Sequence, residues 1–168
     1  GSMFKADTWK KLVSNVNTKN TTLHFIGLVS DGNVHSHIDH LKAMITEANK
    51  EGVKSVRVHA LLDGRDVDPT SALTYITPLE EFLASFKDCD YRIASGGGRM
   101  YLTMDRYNAD WSMVERGWKA HVLGEGRAFA SATEAIETYR REVPGILDQD
   151  MHEFIISKDG KPVGTIND

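Results

Sequence analysis

Apolar side chains recur at Phe4, Trp9, Leu12, Val13 and Val16, one face of a helix, with Asp7 and Thr8 as candidate caps. The period then changes. TTLHFIGLVS is short, apolar and β-branched at its start, which predicts a strand ended by Asp31-Gly32. Ile38, Leu41, Met44, Ile45 and Ala48 restore helical spacing from Ser36 or His37 through Asn49, with Gly52 suited to the stop. SVRVHALL alternates and then runs apolar, a second and buried strand. Thr70 or Ser71 opens a helix reaching about Phe86, and DYRIAS is a third strand that GGGR is expected to end. Trp111 to Val122 is helical with Trp111, Val114 and Trp118 on one face, so the two tryptophans belong to core or interface. SATEAIETYRREV carries Ser131 as N-cap and Glu134 three positions on, a capping box. HEFIIS and KPVGTI flank Lys158-Asp159-Gly160, a hairpin signature.

Three strand-then-helix units in succession predict an α/β fold. It is a three-layer sandwich with a mostly parallel central sheet flanked by helices and a C-terminal hairpin. Sheets of this kind bind ligands beyond the carboxyl ends of their strands. A chain of 168 residues suits a single domain, here 4–168, with residues 1–3 set aside as an expression scar and start. Such a start suggests a piece cut from a longer protein. The net charge is −4 and no basic tract occurs, which argues against nucleic acid. No apolar run approaches the ~20 residues of a membrane span. A lone cysteine, Cys89, cannot form an internal disulfide, so a reducing, cytoplasmic setting is expected.

The chemistry-bearing residues gather after the three strands. In DGNVHSH, His35 and His37 could begin a metal site with Asp31, His40 and His59, or be solvated beside a turn and a helix start. His35 could instead meet an anion or hydroxyl near a helix N-terminus, where backbone N–H groups favour negative charge. In LLDGRD, Asp63-Gly64 is a turn signal, Arg65 offers a guanidinium fork to carboxylate or phosphate, and Asp66 a base for a hydroxyl. In SGGGRMYLTMDR the glycines permit a tight turn or close approach to a ligand, and Arg99 and Arg106 add two cationic forks. This is neither a P-loop nor a dinucleotide fingerprint. Either arginine alone could be a surface residue paired with Asp105. Met100 and Met104 are expected to pack, and His24 and His59 to be satisfied structural histidines.

Taken in order, GLVSDGNVHSH, VHALLDGRDVDP and IASGGGRMYLTMDRYNADW closely resemble the cofactor-independent phosphoglycerate mutases. MVERGWKAHVLGEG and the closing KPVGTIND fit the same pattern, so the likeness runs from about Thr22 to the end. The resemblance implies a two-domain isomerase that interconverts 3-phosphoglycerate and 2-phosphoglycerate without 2,3-bisphosphoglycerate. A phosphatase-like domain of the alkaline phosphatase superfamily would hold two Mn2+ or Mg2+ ions and a transiently phosphorylated serine. This chain resembles the inserted transferase domain, which holds and reorients the glycerate, binds no metal itself, and works against the phosphatase domain of the same parent chain. By match of motif, His35, Arg65, Asp66, Arg99 and Arg106 would bind substrate, and Asp66 would move the proton of the glycerate hydroxyl. Alone, such a piece is expected to lack turnover. The residues also admit a free-standing α/β module for another small phosphorylated or carboxylated anion, or a metal-dependent hydrolase built on the histidines.

Overall fold

The computed structural model describes residues 1–104 and 110–167. Asp105 and Arg106, the latter a candidate ligand residue, lie outside the described residues. The chain runs α1 (Asp7–Lys19), β1 (Leu23–Leu28), α2 (Ile38–Lys50), β2 (Ser55–Leu62), α3 (Ala72–Ala84), β3 (Asp90–Gly98), α4 (Trp111–Trp118), β4 (Arg127–Phe129), α5 (Ala132–Glu142), β5 (Phe154–Lys158) and β6 (Lys161–Pro162). The strands form one sheet in the order β1-β2-β3-β5-β4, with β6 pairing β5. β1, β2 and β3 are parallel neighbours, as two successive strand-helix-strand units require. β5 pairs antiparallel to β3 and parallel to β4, so the antiparallel character enters the middle of the sheet as well as the hairpin.

Strand alternation divides the core in two. Val56, Val58, Ala60 and Leu62 of β2, with Phe154 and Ile156 of β5, face buried residues of all the α-helices except α4. Ile45, Ile76, Leu79 and Ile136 are fully buried there, each contributing about 1.5–3 kcal/mol of transfer free energy. The opposite face carries a small cluster, Leu28, Leu61, Leu102, Ala120 and Ile155, where Ala120 sits in a π-helical turn (Lys119–Leu123) that continues α4. The three layers are therefore uneven: most helices lie on one side and the α4 segment on the other.

Several local expectations are modified by packing. α1 buries Trp9, Val13 and Val16, but Leu12 is 50% exposed at the margin of that stripe. Trp111 and Trp118 are 65% and 60% exposed and Met100 is 43% exposed, so none of them is core. The three glycines do not end β3 but form its last residues. A side chain on Gly96 would drive into the Ala60 carbonyl and the Phe154 ring, and one on Gly98 into the Gln149 carbonyl. Glycine here allows backbones to approach, the other use of the residue. Ser71 stands at the N-cap of α3 without capping it by its side chain. Asp148, fully buried and 76 positions away, accepts from Ala72 N at 2.7 Å and from Arg140 Nη2 at 2.7 Å. Ser131 does cap α5, accepting from Glu134 N at 3.0 Å.

Candidate functional site

The carboxyl ends of β1, β2 and β3 meet around one buried carboxylate. After β1 the chain folds back on itself. Ser36 Oγ donates to the Leu28 carbonyl (2.6 Å) and Ile38 N to the Ser30 carbonyl (2.8 Å), which starts α2 beside the strand end. Ser30, itself buried, donates its hydroxyl to Asp63 Oδ2 at 2.5 Å. Gly32 lies so close to the β2 turn that a Cβ there would stand 2.8 Å from the Asp66 Cβ.

Asp63 follows β2 and is 3% exposed. Its Oδ1 accepts from Asp66 N (3.0 Å), Arg65 N (3.2 Å) and Arg99 Nη1 (2.7 Å). Gly64 supplies the positive φ of 59° that this turn needs. Burial alone would push the Asp63 carboxyl up. The Ser30 hydroxyl, the Asp66 N–H, the Arg99 guanidinium and the Arg65 N–H together outweigh it and hold the group below its ordinary value.

Arg99 leaves the end of β3 with its N–H donating to the Leu62 carbonyl at 3.0 Å. It is only 5% exposed, and its Nη1 is shared between Asp63 Oδ1 and Asp66 Oδ2, the latter at 2.6 Å. Burial disfavours its charge, yet the two carboxylates more than compensate and raise its pKa. His35 Nε2 stands 4.0 Å from the same Asp66 oxygen. Asp66 thus lies between a buried guanidinium and an exposed imidazole. Arg65 points outward, exposed, with its Nη1 3.8 Å from Met100 Sδ on the loop after β3.

The sequence candidates therefore divide. His35, Arg65, Asp66 and Arg99 are brought together from three loops. His37 instead caps α2, its Nδ1 accepting from Asp39 N at 3.1 Å, and His59 lies within β2 and bonds His24. Among the described residues no three His, Cys, Asp or Glu side chains gather as metal ligands. A mostly apolar cleft of about 620 Å3, lined in part by Phe25, Ile26, Leu28 and Met44, opens beside His35 but includes none of Asp63, Asp66 and Arg99. In the loop after β1, Asp31 Oδ1 accepts from the Tyr75 hydroxyl at 2.6 Å, which pushes the phenol up to about 12. Ser30 and Asp63 are the members that motif reading missed. Asp63 was visible only as a turn residue, and nothing local marks its bond to Ser30, 33 positions away.

The arrangement can hold an anion at Arg65 and present Asp66 to a hydroxyl. Comparison with known proteins bears on which. The family described as "BPG-independent PGAM N-terminus" matches residues 1–168. A probable 2,3-bisphosphoglycerate-independent phosphoglycerate mutase of Leptospira interrogans is 59% identical over 170 residues, covering 100% of this chain and 31% of the relative. The corresponding mutase of Trypanosoma brucei brucei is 50% identical over 171 residues, with the same coverage of 100% and 31%. A crystal structure of Leishmania mexicana phosphoglycerate mutase at low cobalt concentration superimposes with a TM-score of 0.97 at 48% identity. It covers 100% of this chain and 31% of its own. The chain thus spans about a third of the length of these relatives.

Proposed function

The chain belongs to the family of 2,3-bisphosphoglycerate-independent phosphoglycerate mutases, matching their N-terminal part, and on that footing we propose that residues 4–168 are the domain that holds the glycerate during phosphoryl transfer. The parent activity is the interconversion of 3-phosphoglycerate and 2-phosphoglycerate. The substrate is a small polyanion carrying one hydroxyl that must become a nucleophile. Arg65 takes an anionic group at the mouth of the site, where its planar fork is exposed. Asp66 accepts the hydroxyl proton as that oxygen attacks phosphorus and returns a proton to the oxygen that is released. His35 contacts the glycerate from the other side of the same carboxylate. Arg99 already gives Nη1 to Asp63 and Asp66, so its first effect is to orient Asp66. Its remaining N–H edge is the part that would bind ligand. Arg106 is assigned to the substrate carboxylate or phosphate by motif alone.

The phosphoryl group comes from the phosphatase domain of the same parent chain, the expected partner. The Mn2+ or Mg2+ ions implied by the resemblance would supply nucleophile activation in that domain. Among the described residues no ligand set for them is gathered. No described helix is long and apolar enough to cross a membrane. A reducing cytoplasm is the proposed setting, and the single thiol of Cys89 suits it.

The observation that carries this reading is Asp66 Oδ2, 2.6 Å from Arg99 Nη1 and 4.0 Å from His35 Nε2, beside the exposed Arg65. Titration of 15N-labelled chain with 3-phosphoglycerate tests it. Shifts should cluster at His35, Arg65, Asp66 and Arg99 and vanish in Arg65→Ala. A chain that stays silent at millimolar ligand, alone and with the phosphatase half supplied in trans, overturns the assignment.

A further inference from the structure

Beneath the site, on the sheet face that α4 covers, five polar side chains from five segments form one unbroken chain. His24 Nδ1 lies 2.9 Å from His59 Nε2, and His59 Nδ1 lies 2.6 Å from Ser95 Oγ. Ser95 Oγ is 2.8 Å from His121 Nδ1, and His121 Nε2 is 3.0 Å from Thr103 Oγ1. His59, Ser95 and His121 are 0%, 1% and 3% exposed, while His24 and Thr103 at the two ends are half-buried. Nothing in the mechanism above uses them.

Three departures from regular backbone geometry fall on this chain. Between β2 and β3 the register skips Ala94, so that Val58 faces Ile93 but His59 faces Ser95. That bulge turns the Ser95 hydroxyl to the face where His59 waits. His121 sits in the π-helical turn, a form rarely adopted without a local purpose. Thr103 has φ of +72°, a left-handed conformation that a β-branched residue strongly disfavours. Gly117 of α4 makes the room, since a side chain there would strike Thr103 Oγ1. Regular strands and helices would place none of these three hydroxyl and imidazole groups where the chain needs them.

The hydrogen bonds of the chain are complete without a charge on any imidazole. With all three histidines neutral, each of the three inner groups donates one hydrogen bond and accepts one, and each end group makes one, so all four links have a donor and an acceptor. This holds whether the donors run from His24 towards Thr103 or in reverse. His59 and His121 stay neutral: burial, together with His121, His24 and Arg57, lowers His59 to about 3, and burial lowers His121 to about 4. The chain is therefore a rigid strut across the physiological range and not a switch.

One end of it holds the loop that leaves β3 with Arg99. Tyr101 N and Leu102 N both donate to the Gly98 carbonyl, at 2.9 and 3.1 Å, which makes a tight turn. Leu102 is fully buried, and Thr103 N donates to the Met113 carbonyl at 2.9 Å. Arg116 Nε adds a bond to the Tyr101 carbonyl at 2.6 Å. The Thr103 hydroxyl bonded to His121 adds a side-chain tether to these, reaching from the turn into the polar interior. We propose that His24, His59, Ser95, His121 and Thr103 are positioning residues: the chain holds Thr103 in its strained conformation and so fixes the turn from Arg99 to Met104 against the Asp63–Asp66 pair. The inference rests on the reading of that site as the one that binds glycerate.

Two cuts and one repair test it, in the 168-residue chain. Thr103→Val removes the hydroxyl at nearly constant volume and branching, Ser95→Ala breaks the chain two links away, and Thr103→Ser keeps the hydroxyl. The first readout needs no ligand: backbone amide shifts of residues 99–104, the Arg99 side-chain N–H signals, and the 15N pattern of each imidazole. Wild type should show every histidine of the chain with one protonated and one bare ring nitrogen. T103V and S95A should both move the 99–104 amides and the Arg99 signals, and T103S should leave them near wild type. The second readout is 3-phosphoglycerate affinity, expected to fall about tenfold in both cut variants and to recover in T103S, since small misplacements of binding groups have effects of this size or larger. Wild-type spectra and affinity in T103V and S95A overturn the proposal, as does a T103S variant that behaves like T103V. If wild type itself fails to bind 3-phosphoglycerate, the glycerate reading falls, while the ligand-free spectra still decide whether the chain positions the turn.

Discussion

The two faces of the sheet are built on different principles. One buries Val56, Val58, Ala60 and Leu62 under helices, with Phe154 and Ile156 beside them, and its stability is a sum of many nondirectional contacts. The other has a small apolar cluster and spends the rest of its area on Arg57, His59, Ser95 and His121, all buried and all hydrogen-bonded. An apolar face tolerates small shifts, whereas a hydrogen-bonded one loses a partner within a few tenths of an ångström. The difference teaches where exactness was needed. The loops that carry Arg65, Asp66 and Arg99 rest above strands whose polar side is locked by geometry and whose apolar side is held by volume.

The largest effect should come from the apolar face. Phe154→Ala removes a fully buried ring that packs against Gly96, and should lower stability by about 4 kcal/mol in urea denaturation. Asp63→Asn at the strand ends comes next. It keeps the shape but withdraws the charge from buried Arg99, for about 2 kcal/mol, and should abolish 3-phosphoglycerate shifts at Asp66 in the titration. A D63N cost larger than that of F154A would reverse the ranking and make the polar cluster the keystone of the fold.

Between pH 6.5 and 4, acid should act on the polar face through its buried histidines. His59 and His121 sit at about 3 and about 4 when folded, against 6.5 in the unfolded chain, with burial the first cause for both. The unfolded state therefore binds more protons below pH 6.5. The contribution of these groups is fully present above that value and is lost progressively as pH falls towards 4. His121→Gln should flatten the decline of the urea midpoint between pH 6.5 and 4, where an unchanged slope would show that His121 does not carry it. The smallest effect is expected at Leu12, half exposed at the margin of the α1 stripe. Leu12→Ser should stay within about 0.5 kcal/mol, and a larger loss would place Leu12 in a contact outside the apolar core described here.

How much was legible follows the same division. SVRVHALL was readable as a strand because its apolar run is bounded by turn signals, and β2 occupies those eight residues. Ser131 and Glu134, and Asp159-Gly160 with φ of 53° and 76°, marked a helix start and a hairpin from local chemistry alone. β4 was missed, since three residues, Arg127-Ala128-Phe129, are too few to show a period. The glycines of β3 read locally as a stop, because the close approach of Ala60, Phe154 and Gln149 has no local signature. Trp111 and Trp118 were rightly spaced for one helix face, but spacing does not say which way a face points.

Sequence alone determined the alternation of strands and helices, the loops at which charged residues gather, and the family likeness of those loops. Each of these depends on neighbours within a few positions, where side-chain type and backbone period act directly. Only the tertiary structure decided that Asp148 would cap α3, that Ser30 and Asp63 would anchor Arg99, and that five dispersed polar residues would join into one chain. Those bonds span 18 to 76 positions. A hydrogen bond is fixed by the relative placement of two atoms in space, and a one-dimensional pattern holds no record of that placement until the sheet has formed.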